Sequence, residues 1–422
     1  MNMSIASIGQ ALTDFAFYYP LFMAYLWMAG ALFYWHRHER KAGKVDQPPA
    51  LDEYPSVAVI VPCFNEEAHA EETIGCLMRS KYPNLEVIAV DDGSIDDTGA
   101  VLERLAARYP ALRVVRLMRN QGKAAALNTA ATMTRAEILV CIDGDALLDP
   151  WAVHWLGAPF RWPRVGAVTG NPRVRTRSTL LGRLQVGEFS STIGLIKRAQ
   201  RTYGRVFTVS GVVAAFRRSA LHDVGYWSTD MLTEDVDISW KLQARHWDVR
   251  FEPNALCWIL MPETLRGLWK QRLRWAAGGM QVLAKNWRPL QAWRQRRMWP
   301  VFAEYLTSAF WAYTMLGLFL VWLLRVVFGV PTPIDGSSLI PRWSGVVIGT
   351  TCLLQIAVGM LLDARLEKGL FRYFFWMIWY PLAFWLLSAL TTVVGVPKAL
   401  FRSTGKRARW KSPDRGLLPQ DR

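Results

Sequence analysis

Apolar positions along the 422-residue chain follow two regimes. Near the ends they run unbroken. Phe15 to Trp35 carries no charge over a length that crosses a bilayer, and Tyr305 to Leu324 and Trp343 to Leu362 read likewise. A fourth window, Tyr373 to Val396, is interrupted by Pro381. The first window is too long and too aromatic for a signal peptide, and no small-residue cleavage site follows it. From Ser56 the pattern changes to short runs. "VAVIVP", "EVIAVDDGS", "LRVVRLM" and "EILVCIDGDA" read as strands, separated by the helical periods of "EEAHAEETIGCLMRS", "TGAVLERLAARY" and "GKAAALNTAATMT". Strand and helix alternating at this pace predict an α/β domain with a mainly parallel sheet and crossover helices.

Charge orients these elements. "HRHERKAGK", His36 to Lys44, follows the first window at once, whereas the residues before that window hold no Lys or Arg. The positive-inside rule then puts the N-terminus outside and the α/β domain in the cytoplasm, as in an integral protein of the inner membrane. Three later spans would leave the basic tail from Lys398 outside, against that rule, unless the stretch around Pro381 is re-entrant or interfacial. The net charge of +16 raises nucleic acid as a partner. However, Lys270 to Arg297 gathers eight Lys or Arg with no acid, interleaved with Trp269, Trp275, Trp287 and Trp293. Basic residues and Trp beside membrane spans fit interfacial helices on anionic lipid, so membrane lipid is expected and nucleic acid is not. Cys63, Cys76, Cys141, Cys257 and Cys352 match no zinc spacing and are expected reduced, with no assigned role.

In parallel α/β sheets ligands bind beyond the carboxyl ends of the strands. Three such ends here are polar: "CFNEE", "DDGS" and "DGDA". Neither GxGxxG after the first strand nor a Walker loop is present. Asp143 and Asp145, two apart after a strand, share one side in extended geometry and suit Mg²⁺ or Mn²⁺ completed by a phosphate ester; a surface Asp-Gly-Asp turn is the plain alternative. Asp91 and Asp92 can accept the imide N–H of a uracil ring, or simply build the turn. Lys123, after Gly122 at a helix start, suits a diphosphate, or is a solvated lysine. "TEDVDISWKL" clusters Glu234, Asp235 and Asp237. It reads either as a helix start with Thr233 as N-cap or as the seat of a catalytic base. In "QRLRW", helical spacing brings Gln271, Arg274 and Trp275 onto one face while Arg272 and Leu273 point elsewhere.

"VIVPCFNEE", "VDDGSIDDT", "DGDA", "TEDVDISWKL" and "QRLRW", in that order, resemble the processive family 2 glycosyltransferases, the group of cellulose, chitin and hyaluronan synthases. "QVGEFSSTIGLIKRAQRTYG", "VFTVSGVVAAFRRSAL", "EPNALCWILMPETLRGLWKQRLRWAAGG" and "KRARWKSPDRG" carry the likeness further, toward the bacterial synthases of biofilm poly-β-1,6-N-acetyl-D-glucosamine. It covers nearly everything from Phe15 onward. Many such synthases have an additional N-terminal span, so this chain departs there with a single helix before the domain.

The resemblance implies a cytosolic GT-A nucleotide-sugar transferase domain over 46–262. It is flanked by a transmembrane helix and basic flank over 1–45, interfacial helices over 263–300, a transmembrane region over 301–400 and a basic tail over 401–422. It implies Asp235 as general base and Asp145 as metal ligand, with Asp143 near ribose or metal. Asp91 or Asp92 should meet uridine, with Lys123, Gln271 and Arg274 on the donor. Trp275, Glu234, Ser210 and Gly211 fall on the acceptor side, although "SGVVAAF" reads equally well as a buried strand. The implied activity is inverting transfer from UDP-GlcNAc to a growing polysaccharide with Mg²⁺ or Mn²⁺. A small membrane subunit and cyclic di-GMP are implied as partners. Chitin- or hyaluronan-type synthesis, and single transfer to a lipid acceptor, stay open from the motifs alone.

Overall fold

A computed structural model describes residues 5–329, 343–402, 405 and 407–409; most of the expected tail over 401–422 lies outside the described residues. The sheet contains β1 (Val57–Cys63), β2 (Leu85–Asp91), β3 (Leu112–Arg116), β4 (Ile138–Ile142), β5 (Leu147–Leu148), β6 (Val165–Val174), β7 (Val213–Arg217) and β8 (Asp248–Ile259). Their order is β3-β2-β1-β4-β7-β6-β8-β5. β1 and β4 are buried along their whole lengths, as expected of strands covered on both faces.

The soluble helices are α2 (Ala70–Leu77), α3 (Thr98–Arg108), α4 (Lys123–Met133), α5 (Ala152–Gly157), α6 (Leu180–Glu188), α7 (Ile196–Tyr203), α8 (Arg218–Val224) and α9 (Glu234–Ala244). They follow α1 (Ile5–Tyr34) and precede α10 (Leu265–Leu290), α11 (Trp299–Phe328), α12 (Trp343–Asp363) and α13 (Tyr380–Leu400).

Parallel pairing holds for β3-β2-β1-β4 and for β6 with β8. β7 runs antiparallel to both β4 and β6, and β5 antiparallel to β8, so the sheet is mixed rather than parallel throughout. The reason is the connection. β4 reaches β7 through a long excursion over β5, β6, α6 and α7 instead of through one crossover helix. The reversal matters for the site, because the register Ile142↔Val213 sets the start of β7 against the end of β4.

Among the described residues four helices are long and apolar enough to cross a membrane: Ala6–Glu39, Trp293–Phe328, Ser344–Asp363 and Ala383–Leu400. The expected fourth window is not one element. Residues Leu370–Trp379 form a 3-10 stretch, and Pro381 sits in the first turn of α13, where its missing N–H is not needed. At the base of α1 and α12 a buried ion network joins the membrane helices to the domain. Arg198 Nε lies 2.6 Å from Glu39 and its Nη1 2.9 Å from Asp363, while Arg173 reaches Asp363 at 2.6 Å and Glu367 at 2.8 Å. Arg365 adds a 2.8 Å contact to Glu39. Among the described tail residues, Ala408 N donates to Thr229 O at 2.9 Å and Arg407 donates to Gln121 Oε1 at 3.1 Å. The chain therefore returns to the face of the α/β domain after α13.

Candidate active site

The carboxyl ends of β1, β2, β3 and β4 share one edge, since Cys63 pairs with Asp91 and Asp91 with Arg116. Asp91 and Asp92 are both buried there and both are engaged by backbone. Asp91 Oδ1 accepts from Ser94 N at 2.9 Å, and its other oxygen faces Arg116 at 3.6 Å. Asp92 accepts from Gln121 N at 2.9 Å and Gly122 N at 2.8 Å. Burial pushes the Asp92 carboxyl up, against these two N–H groups. So the turn-building role is present, and it anchors the segment that opens α4. Gly122 has φ +95, a conformation that favours glycine, and a side chain there would also strike the Ala408 carbonyl.

Lys123 begins α4, and it is not solvated. Its ammonium bonds Asp143, donates to Gly211 O at 3.0 Å and lies 3.3 Å from Glu234. Burial opposes its charge, but Asp143 and Glu234 together keep its pKa above the ordinary lysine range. One cation thus gathers the end of β4, the approach to β7 and the start of α9. Asp143 is pushed up by burial, with Lys123 pulling it down and the charge of Asp145 adding to the rise. Two hard carboxylates straining against each other at a strand end are a fitting donor pair for a divalent cation. Among the described residues no three His, Cys, Asp or Glu side chains gather as a complete cage, so further ligands would have to come from a bound substrate.

Asp235 sits in the first turn of α9. Its Oδ2 accepts from Gly211 N at 3.2 Å and its Oδ1 from Val236 N at 2.9 Å. Burial and then the neighbouring Glu234 push its pKa up to about 6, with Lys123 and Arg274 opposing. A carboxylate poised there can both hold and release a proton near neutrality. Thr233 does not cap α9: it has φ −128 and makes no side-chain cap bond, and its hydroxyl is buried without a partner. Glu234 faces Lys123, and Asp237 accepts from Ser228 at 2.6 Å and pairs with Lys285 of α10 at 2.8 Å. The three acids therefore have three separate uses.

The Ser210–Gly211 turn bridges these groups, since Gly211 donates to Asp235 and accepts from Lys123. A Cβ on Gly211 would come within 3.1 Å of Asp235 Oδ2. Gly211→Ala is expected to lower turnover by about tenfold by displacing the carboxylate a few tenths of an ångström, with thermal stability little changed; initial-rate measurements on the purified variant check this.

In α10, Arg274 is exposed and acts electrostatically on Asp235, and Gln271 Oε1 is buried without a hydrogen-bond partner. Arg272 does not point away. Its guanidinium lies 4.2 Å from the Trp275 ring centroid and pairs with Glu188 at 2.8 Å. Positions i and i+3 also share a helix face, and the buried Glu188 draws the arginine inward over the ring. One face of Trp275 is thus already covered, and the ring is half-buried against the core. Glu188 and Arg272 are site-supporting residues that the motif reading missed.

A GT-A domain with acids gathered on its ligand edge, carried beside apolar membrane-length helices, defines a membrane-associated glycosyltransferase. The chain belongs to glycosyltransferase family 2, since residues 55–278 match the family model described as glycosyltransferase like family 2. It is 35% identical over 407 residues to a poly-beta-1,6-N-acetyl-D-glucosamine synthase of Staphylococcus epidermidis, covering 96% of this chain and 98% of that one. A synthase of the same name from Staphylococcus aureus is 36% identical over 405 residues, again 96% of this chain and 98% of the other. Among solved structures, a mannosyltransferase from Pyrobaculum calidifontis in complex with GDP-Man and Mn2+ superposes with a TM-score of 0.66 at 24% identity, over 94% of this chain and 99% of that chain. That likeness supports the GT-A fold.

Proposed function

We propose that this chain is a processive, inverting β-glycosyltransferase of the bacterial inner membrane that polymerises N-acetylglucosamine from UDP-GlcNAc into poly-β-1,6-N-acetylglucosamine. The observation that carries the reading is Asp235: a half-buried carboxylate poised near neutrality, held by Gly211 beside Glu234 and the Lys123 that binds Asp143. The full-length identity to synthases of this polymer supports the choice of sugar and linkage.

In the proposed step the acceptor hydroxyl oxygen forms a bond to the anomeric carbon as the bond from that carbon to the UDP oxygen breaks. The hydroxyl proton passes to an oxygen of Asp235. UDP departs on the opposite face, so an α-linked donor yields a β-linkage. Asp91 or Asp92 meets the uracil. Lys123, Arg274 and Gln271 face the diphosphate, for which Lys123 exchanges part of its contact with Asp143 and Glu234. Trp275 serves the acceptor sugar, with Ser210 and Gly211 on the same acceptor side. Asp145 and Asp143 would hold Mg²⁺ or Mn²⁺, which when bound supplies Lewis-acid neutralisation of the leaving diphosphate.

The topology follows the same reading. α1 brings the chain into the cytoplasm. α11 and α12 cross as a hairpin, because Asp363 at the end of α12 meets Arg173 and Arg198 of the domain. α13 lies along α10 in the interface, because Gly395 packs on Ala276 and Ala277 of α10 and the following tail reaches Thr229. The basic stretches His36–Lys44 and Lys270–Arg297 and the tail from Lys398 then lie on the cytoplasmic side, with Arg325 at the far end of α11. A small membrane subunit and control by cyclic di-GMP belong to this reading as partners.

The test incubates membranes containing the protein with radiolabelled UDP-GlcNAc and Mg²⁺ or Mn²⁺, then digests the product with linkage-specific hydrolases. Polymer cleaved by a β-1,6-specific enzyme is expected, with no incorporation after EDTA and recovery on adding the cation back. Chitinase- or hyaluronidase-sensitive polymer would move the assignment to those synthases. Label confined to a lipid extract would make the enzyme a single-transfer glycosyltransferase.

A further inference from the structure

Lys197 has no part in the steps above, yet it is buried directly behind them. It lies on α7, 4% exposed, with Nζ 2.6 Å from Ser210 Oγ and 3.0 Å from Thr169 Oγ1. Its two partners are neutral hydroxyls, and the Phe251 ring stands 6.0 Å from the ammonium. A buried ammonium held only by hydroxyls is costly, so its place calls for a use. Its neighbours are tied to the base. Ser210 N donates to Thr169 Oγ1 at 2.8 Å, Gly211 N donates to Asp235, and Ser239 links Val209 N at 2.8 Å to Asp235 O at 2.6 Å.

We propose that Lys197 is a positioning residue that keeps Asp235 ionised and aimed between turnovers, acting from behind the Ser210–Gly211 turn. This rests on the proposed role of Asp235 as the base. Lys197 pins Ser210, Ser210 fixes the adjacent Gly211 amide, and that amide holds Asp235 Oδ2. Its charge acts alongside. Burial lowers the Lys197 pKa to about 7, and Asp235 is the charged group that opposes the fall. Around Lys197, β6 presents Thr169 and β8 presents the Phe251 ring, while its own helix directs Arg198 to Glu39 and Asp363 and Arg201 to Asp248. Around Asp235 stand Glu234, Lys123 and Arg274. While Lys197 carries its proton, it favours the carboxylate. Once Asp235 has taken the acceptor's proton, that mutual support is gone, which favours returning the proton before the next sugar arrives.

The experiment compares the purified full-length enzyme with Lys197→Met, Lys197→Gln and Lys197→Arg, measuring UDP release from UDP-GlcNAc between pH 5 and 9. Removing the charge is expected to move the acid limb of kcat to higher pH by about one unit, a loss of about fivefold at pH 6, with KM for UDP-GlcNAc within about twofold. Lys197→Arg should return the limb toward the wild-type position. Lys197→Gln keeps a hydrogen bond to Ser210 without the charge, so its limb should move with that of Lys197→Met. Coincident limbs in wild type and Lys197→Gln would overturn the proposal, as would failure of both neutral variants to bind UDP or fold, which makes Lys197 scaffold only. Asp235→Asn run in parallel separates the two levels. If it is inactive while Lys197 variants match wild type, only this inference falls; if it retains wild-type rate, the base assignment falls with it.

Discussion

Asp235→Asn is expected to lower polymer synthesis by about 10²–10⁴-fold while leaving UDP affinity within a few-fold of wild type. The amide keeps the size of the carboxylate and one acceptor oxygen, which can still take the Gly211 N–H, while the bond from Val236 N is lost. What it loses is the ability to take the acceptor's proton. Calorimetric UDP binding and radiolabel incorporation on the same preparation check both halves; a normal rate would remove Asp235 from the chemistry. The pH profile gives a second signature. Burial first, then Glu234, raises the Asp235 pKa to about 6. The active form is the ionised one, so the rate is expected to rise with pH through about 6 and level above it. For an ordinary carboxylate the same limb would lie near 4. In Asp235→Asn the residual rate should lose this limb.

How much of this was open to sequence reasoning depends on range. The strands with unbroken apolar runs and the carboxylates at their ends were legible because both are local signals, a run of like residues and the polar stop that follows. Asp143, Asp145 and Asp235 were nameable on that basis and through motif order. The pairings that make a site of them were not. Lys123 looked solvated or phosphate-directed, because no local pattern shows that β7 returns antiparallel beside β4 and brings Gly211 and Glu234 onto its ammonium. Helical spacing alone does not put Arg272 over Trp275, although their i, i+3 relation allows it; what holds it there is Glu188, far away in sequence. Thr233 has the right residue type for a cap, but it makes no side-chain cap bond, and its side chain stands against Gly278 of α10. Glu39 is the sharpest case. It lies within a run of basic residues that reads as a membrane flank, yet it is the acid that receives Arg198 and Arg365.

That acid leads to the second large effect. Arg198→Ala is expected to destabilise the protein by about 3–5 kcal/mol, because it strands two buried carboxylates that share one guanidinium. Arg198 is fully buried, bidentate on Glu39 through Nε and Nη2, and reaches Asp363 through Nη1. Arg365 and Arg173 remain to compensate each acid in part, which places the cost inside that range and not above it. Since Glu39 ends the first membrane segment and Asp363 ends α12, the loss also loosens the attachment of two membrane helices to the α/β domain. A fall in melting temperature of about 10 °C is expected, read by size-exclusion of the detergent-solubilised protein after heating. Combining Arg198→Met with Glu39→Gln and Asp363→Asn removes the stranded charges and should recover a large share of that fall, since apolar or neutral replacements of buried ion clusters are often well tolerated. A single variant that melts with wild type would mean that water reaches the cluster. A triple variant no better than the single would mean that the arginine acts through its packed stem and the Phe251 ring it covers at 5.5 Å, instead of through its charge.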